Sequence, residues 1–196
     1  MSEDTTQPLP PAPVAPTATP APQATRVAVS PALPAWLPSR LFQADFPDLT
    51  ALECAAYAIF QQAWATHPIF RGDQVRVHRF PHRANGSRWN TYWHCVTEGD
   101  PEESRTTPIQ ERLERIPWSR PVIENEANVA AGMKVWANFR GRDQHVCVWF
   151  EPENYLVVLK IAYDHFLLKT TYCPESRRRV QLQRDYSTWK KTGRAF

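Results

Sequence analysis

The stretch Met133-Lys134-Val135-Trp136-Ala137-Asn138-Phe139 is rich in the aromatic and branched residues that β-strands favour. Three further runs of the same kind follow at residues 144–150, 155–161 and 166–172, and four residues separate each run from the next. Connections this short join antiparallel neighbours. The stretch therefore predicts a four-stranded antiparallel meander.

Helices are predicted both before and after the meander in the sequence. Thr50 and Glu53 have the spacing of a capping box, and apolar residues recur at helical intervals after them as far as residue 66. Thr107 followed by Pro108 is typical of a helix start, and a final helix is predicted over 174–191. The apolar stripe of this last helix consists of Leu182, Tyr186 and Trp189.

Two further strands are predicted ahead of the meander. Residues 74–80 and 89–96 alternate between apolar and polar side chains, and residues 81–87 between them are rich in turn formers. The predicted fold class is α+β, an antiparallel four-stranded meander with helices on one face. The other face of the sheet would then be free to bind a ligand.

The N-terminal region has a different composition from the rest of the chain. Ten of the 19 prolines fall within the first 40 residues. A segment of this kind buries too little apolar surface to offset the entropy lost on ordering. We therefore predict a disordered proline-rich arm over residues 1–35, which would serve as a tether or bind a partner, and a single α+β domain over residues 36–196.

The sequence also predicts a location. Glu3 and Asp4 precede a run that prolines interrupt, which does not resemble a secretory signal, and no apolar stretch reaches the ~18 residues that a bilayer span requires. The four cysteines are widely spaced, a pattern typical of reduced thiols rather than of a disulfide framework. These features predict a cytoplasmic protein with no membrane partner.

Positive charge is concentrated at the C-terminal end. The net charge is +3, and residues 174–196 contain seven basic and two acidic side chains. Tyr186 and Trp189 lie among these basic residues and could stack on bases. A cationic helix with aromatic side chains is typical of nucleic-acid binding.

The sequence lacks the motifs of several classes of enzyme. The chain has six glycines and no glycine-rich phosphate loop, nucleophile elbow or His-Glu-x-x-His sequence. His78 and His82 are four residues apart, but Pro81 and the lack of a regularly spaced acidic or thiolate partner argue against a metal site. We predict no metal and no cofactor.

Three groups of polar residues remain as candidates for a functional site. His94 stands just before a polar loop, and its side chain exchanges a proton near neutral pH. The mixed-charge segment 105–120 contains Arg105, Arg112, Arg115 and Arg120, and one or two of these arginines could hold a phosphate through paired hydrogen bonds. Thr170 and Tyr172 alternate onto one face of the last predicted strand, where two hydroxyl groups could bind a phosphate.

Six short segments occur in order in the second half of the chain: Trp93-His94-Cys95-Val96-Thr97-Glu98-Gly99, Arg112-x-x-Arg115-Ile116-Pro117-Trp118 with Pro121-Val122-Ile123-Glu124, Lys134-Val135-Trp136, Tyr155-Leu156-Val157-Val158-Leu159, Phe166-Leu167-Leu168-Lys169-Thr170-Thr171-Tyr172 and Arg184-Asp185-Tyr186. Over about residues 90–190 they resemble the phage-associated members of the barnase–EndoU–colicin–RelE (BECR) nucleases. The resemblance implies a small α+β domain that cuts single-stranded RNA without a metal. The 2′-hydroxyl attacks the adjacent phosphate and leaves a cyclic phosphate and a 5′-hydroxyl.

The resemblance also implies roles for individual residues. His94 would be the general base or acid, Arg115 the phosphate clamp, and Thr170 and Tyr172 the transition-state donors. The basic residues expected to contact RNA are Arg112, Lys169, Arg177, Arg178, Arg179 and Arg184. The final helix lacks the histidine expected in some relatives, so the second proton-transfer group is open between Tyr172, His165 and a lysine.

Two functions are therefore predicted. The first is a metal-independent endoribonuclease, toxin-like or phage-effector-like, with an antitoxin or immunity protein as a further partner. The alternative is a non-catalytic RNA-binding or adaptor module that uses the basic C-terminal helix and the proline-rich arm. A nuclease would bring His94, Arg115, Thr170 and Tyr172 onto one concave surface, whereas a binding module could leave them scattered.

Overall fold

The structure, a computed structural model, describes residues 33–140 and 143–192. Apart from its last three residues, the predicted proline-rich arm lies outside the described residues. In the described part of the chain, no helix is both long enough and apolar enough to cross a membrane. The cytoplasmic location stays a prediction.

The described chain contains five α-helices and eight β-strands. The helices are α1 (Leu49–Ala63), α2 (Asn90–Val96), α3 (Gln110–Glu114), α4 (Ser119–Glu124) and α5 (Ser176–Thr192). The strands are β1 (Ile69–Phe70), β2 (Asp73–Arg76), β3 (Pro81–His82), β4 (Asn85–Trp89), β5 (Met133–Arg140), β6 (Asp143–Phe150), β7 (Tyr155–Ile161) and β8 (Phe166–Tyr172). Short 3₁₀ turns lie at Gln43–Asp45, Glu102–Ser104, Ile116–Trp118 and Val129–Ala131.

The main sheet has six strands in the order β1-β2-β8-β7-β6-β5, and β3 and β4 form a separate hairpin. The four strands of the predicted meander all form, and each pairs antiparallel with the next. As a description of the sheet, the antiparallel four-stranded meander is nevertheless wrong, because β2 adds to β8 in parallel, with Val75 opposite Phe166. This pairing joins residues far apart in the sequence, and local alternation carries no information about such a partner. The fold is α+β with a mixed sheet.

The segment 89–96, predicted as a strand, is mostly helix α2. Tyr92, Trp93, Cys95 and Val96 are all buried. Buried residues therefore lie on several sides of this segment, whereas a strand with one buried face would bury every second residue. The helix packs along β8. Burial in this setting overrides the strand propensity of the aromatic and branched residues.

Helix α1 begins with a different cap from the predicted one. The side chain of Asp48 accepts the backbone N–H of Ala51 at 2.8 Å, so Asp48 caps the helix and Thr50 does not. Glu53 is instead paired with Arg88 through two hydrogen bonds of 2.7 and 2.8 Å. This pair ties α1 to the β3–β4 hairpin.

Helices cover both faces of the sheet. Buried side chains of α1 to α4 share a large core with one face of β5 to β8. The stripe of α5 packs on the opposite face, against a second cluster that includes Trp136, Cys147, Trp149 and Leu156. The prediction of helices on one face is therefore wrong. The apolar stripe of α5 is removed from water only by packing on an apolar surface, and the second face of the sheet provides that surface.

Replacing Leu182 with Ala tests whether α5 is an integral part of the fold. Leu182 is fully buried, so the loss of burial and the resulting cavity should lower the free energy of unfolding by about 2–5 kcal/mol. Val180→Ala on the same helix is the matched control, because 52% of Val180 is exposed, and it should change stability by less than about 0.5 kcal/mol. Urea unfolding measures both values. Small and equal effects would contradict the packing of α5 described above.

Candidate functional site

A cavity of about 470 Å³ lies where the end of α2 and the segment after it meet strands β6, β7 and β8. Its lining is mainly cationic, titratable or hydroxyl-bearing: His94, Glu98, Arg105, Arg112, His145, Val158, Lys169, Thr170 and Tyr172. Five residues predicted from the sequence to bind or cleave RNA therefore line one cavity. They are His94, Arg112, Lys169, Thr170 and Tyr172.

A β-bulge in β8 determines which of its side chains reach the cavity. Leu168 and Thr170 pair with consecutive residues of β7, so Lys169 is an extra residue between them. A bulge of this kind re-aims the side chains that follow it. Leu168 faces the large core, whereas Thr170 and Tyr172 line the cavity on the other side of the strand.

Helix α2 is held to β8 by the hydroxyl of Thr170. This group donates a hydrogen bond to the carbonyl oxygen of His94 at 3.0 Å. A hydroxyl has one proton, so in this arrangement Thr170 has none to donate to a phosphate. Its observed contact positions the last turn of α2 and with it the ring of His94.

The segment between α2 and α3 brings Arg105 to the cavity, and α3 brings Arg112. Arg105 and Arg112 both donate to the carbonyl oxygen of Thr97, at 2.9 and 2.6 Å. Arg112 also pairs with Glu98 at 2.7 Å and lies over the ring of Tyr172, 5.7 Å from its centre. A guanidinium has five N–H donors, more than these contacts use, so both arginines can also bind an anion.

His145 is a second histidine of the cavity and was missed by the sequence interpretation. It lies on β6, opposite Lys160 of β7, and its side chain is buried. It lies on the same face of β6 as Cys147 and Trp149, which belong to the second apolar cluster. A titratable residue in such an otherwise apolar series was the signal that could have identified it.

The ring of His94 is neutral at pH 7. Burial lowers the pKa of His94 to about 4, and Arg105 and His82 act in the same direction. Lys169 adds to the effect, while the carboxylate of Glu102 opposes it. A neutral imidazole has a lone pair that can accept a proton.

Potential metal-ligand atoms of His82, His94 and Glu102 lie within 4.8 Å of one another. Burial lowers the pKa of His82, which is therefore neutral, and the backbone N–H of Ala84 donates to its Nδ1 at 3.0 Å. This contact assigns the proton of the His82 ring to Nε2. A protonated nitrogen has no lone pair for a metal, and metal-bound histidines donate from their second nitrogen. The cluster therefore suits hydrogen bonding better than metal binding.

Two residues considered in the sequence interpretation lie away from the cavity. Arg115 pairs with Glu111 at 3.3 Å and lies over the ring of Trp118, and it does not line the cavity. His165 contacts Asp164, with 2.6 Å between Nδ1 and Oδ1, and is also absent from the lining. Three of the four predicted catalytic residues, His94, Thr170 and Tyr172, line the same cavity. The arginines of this cavity are Arg105 and Arg112 instead of Arg115.

The arginines of α5 divide into two groups. Arg178 lines a second cavity of about 310 Å³, which shares Glu98, Arg112 and Tyr172 with the first. Arg177 and Arg178 line a third cavity of about 320 Å³. Arg179 and Arg184 instead line a separate depression beside Trp149. Only the first group is continuous with the site around His94.

Comparison of the chain with protein families, with curated protein sequences and with solved structures gave no match. The resemblance to BECR nucleases therefore stays a prediction, and the site has to be interpreted from its own geometry.

The lowered pKa of His94 predicts a pH dependence of stability. Between pH 6.5 and about 4 the unfolded chain binds a proton at His94 and the folded chain does not, so stability is lost as the pH falls. His94→Asn should remove roughly 2–3 kcal/mol of this acid-induced loss. Urea unfolding at intervals between pH 4 and 7 measures it. Parallel stability curves for the two proteins would show that the pKa of His94 is not lowered.

Proposed function

We propose that this protein cleaves RNA without a metal, by attack of a 2′-hydroxyl on the adjacent phosphate. One observation carries the proposal: two histidines, three cationic side chains and a tyrosine line the same cavity. The reaction needs a base for the attacking hydroxyl, an acid for the leaving oxygen and positive charge around the phosphate. The cavity supplies each of these groups.

His94 is the base in this proposal. Its neutral ring accepts the proton of the 2′-hydroxyl as the O2′–P bond forms. His145, in its protonated imidazolium form, donates a proton to the 5′-oxygen as the P–O5′ bond breaks, which gives a 2′,3′-cyclic phosphate, a 5′-hydroxyl and a neutral His145. His145 thereby takes the role left open in the sequence between Tyr172, His165 and a lysine. Tyr172 and Lys169 remain as donors to the non-bridging oxygens.

Charge stabilisation comes from three cationic side chains that line the cavity. Arg105 and Arg112 are fixed through the carbonyl of Thr97, and Lys169 projects from the bulge of β8. Donors that are held in place before the reaction cost no reorganisation when the phosphate gains negative charge. Arg115, the clamp expected from the resemblance, has no part in this proposal.

The adjoining cavities suggest a path for the rest of the strand. The second cavity continues from Tyr172 and Arg112 towards Arg178, and the third reaches Arg177. The lining of the second cavity also contains the carboxylates of Glu98, Glu111 and Glu175. An aromatic ring followed by basic side chains is a common platform for single-stranded nucleic acid. The antitoxin or immunity partner expected from the sequence remains a prediction.

Incubation of the purified full chain with single-stranded RNA in excess EDTA tests the proposal. We expect cleavage by the wild type and a roughly 10²- to 10⁴-fold loss of kcat in His94→Asn and His145→Asn, because general acid–base catalysis contributes about that much. His165→Asn is the matched control for both histidines, because His165 does not line the cavity.

The result separates the two functions predicted from the sequence. RNA binding without cleavage in any condition would replace the nuclease proposal with the binding module. Cleavage that EDTA abolishes, or that survives in both histidine variants, would also contradict the proposal. Circular dichroism of each variant establishes that a lost activity is not a lost fold.

A further inference from the structure

We propose that Glu102 is a positioning residue that holds His94 in the tautomer with its proton on Nε2, and so leaves the lone pair on Nδ1. The inference rests on the proposed function, because it assigns the atom of His94 that takes the proton. The tautomer of the His94 ring can also be measured without any reaction.

The carboxylate of Glu102 lies beside both histidine rings. Its Oε1 is 3.3 Å from Nε2 of His82 and 3.5 Å from Nε2 of His94. The side-chain amide of Asn90 donates to the same oxygen at 3.1 Å. Three nitrogens therefore lie within 3.5 Å of one carboxylate oxygen, and this oxygen is an acceptor when the group is ionised.

Glu102 is ionised near neutral pH. Partial burial acts to raise the pKa of Glu102, but His94 and His82 outweigh it, with help from the amide of Asn90, and the pKa lies below its usual value. An ionised carboxylate can only accept, so it favours the protonated form of the nitrogens beside it. This assigns the proton of His94 to Nε2, as the Ala84 contact assigns that of His82.

The local sequence explains why Glu102 stays in this position. It begins the 3₁₀ turn Glu102–Ser104, directly after Pro101, and both His82 and Asn90 are supplied by the β3–β4 hairpin and the start of α2. His82 is 1% exposed, and its Nδ1 accepts the N–H of Ala84, which fixes the ring beside Glu102. The hairpin thereby supports Glu102, which in turn supports His94.

The carboxylate also acts on the charge of His94 during the reaction. Around that ring Arg105, His82 and Lys169 disfavour a positive charge, and Glu102 favours it. When Nδ1 accepts the proton of the 2′-hydroxyl, the imidazolium that forms is stabilised by Glu102. Without this carboxylate, His94 would be a weaker base and free to exchange tautomers.

Glu102→Gln is the variant that tests the inference, and Glu103→Gln is its matched control. The glutamine amide can present either an oxygen or an N–H to His94, so it should not enforce one tautomer. Glu103 is the next residue in the same turn, and its side chain is 61% exposed beside Arg83. Histidine imidazole NMR with ¹⁵N-labelled full chain reports the tautomer and the pKa of His94 directly.

We expect His94 in the wild type and in Glu103→Gln to carry its proton on Nε2. In Glu102→Gln we expect a mixture of tautomers and a further lowered pKa, with kcat on RNA reduced about 10- to 100-fold and KM changed less than threefold. Glu102→Asp should recover part of the tautomer preference. His82→Gln provides a second disturbance of the same network if Glu102→Gln does not fold.

Two results would overturn the inference. One is an Nδ1–H tautomer of His94 in the wild type, or the same tautomer and pKa in Glu102→Gln as in Glu103→Gln. The other is a shift of the His82 and His94 signals on addition of one equivalent of zinc sulfate, which would make the cluster a metal site. If the wild type cleaves no RNA but the NMR results are as expected, the proposed function fails and the role of Glu102 stands.

Discussion

The extra residue in β8 is the local feature on which the candidate site depends. With Lys169 inserted between the paired residues Leu168 and Thr170, the strand contributes its first half to the large core and turns Thr170 and Tyr172 to the other side. Regular alternation would have placed both side chains on the same face as Leu168, in the large core and away from the cavity. The bulge therefore gives one strand two functions, core packing and site formation.

The rest of the site is assembled on that strand. Thr170 fixes the end of α2 through the carbonyl of His94, and the chain leaving α2 presents the Thr97 carbonyl that holds two arginines. Arg105 and Lys169 then help to keep His94 neutral. Positive charge in this cavity thus has two effects: it suits a phosphate, and it suppresses protonation of the base that would act on the neighbouring hydroxyl.

Much of the architecture could be predicted from local patterns. The four strands of the meander and the stripe of Leu182, Tyr186 and Trp189 were recognisable because alternation and helical spacing are local properties. Helix α2 was not, since its many β-branched and aromatic residues are helical only through burial against β8. The parallel pairing of β2 with β8 also depends on residues distant in sequence.

The site was predictable to a similar degree. His94, Thr170 and Tyr172 stood out because polar, reactive residues lay beside apolar runs. His145 was hidden within a strand whose neighbours are apolar, and Arg105 and Glu102 looked like ordinary members of a charged segment. Arg115 had the right chemistry in the sequence but packs on Trp118, outside the cavity. Residue type indicated what the site could contain, and only the tertiary arrangement of the bulge, α2 and the following segment determined which residues it does contain.

A substrate with a single 2′-deoxy nucleotide tests the central claim most directly. The bond cleaved in an all-RNA oligonucleotide is first mapped, and the 2′-hydroxyl on its 5′ side is then replaced by hydrogen. Attack by that hydroxyl predicts that cleavage at this bond is lost and that the all-RNA product ends in a 2′,3′-cyclic phosphate, as mass spectrometry would show. Unchanged cleavage of the 2′-deoxy substrate, or products with a 3′-hydroxyl and a 5′-phosphate, would contradict the account.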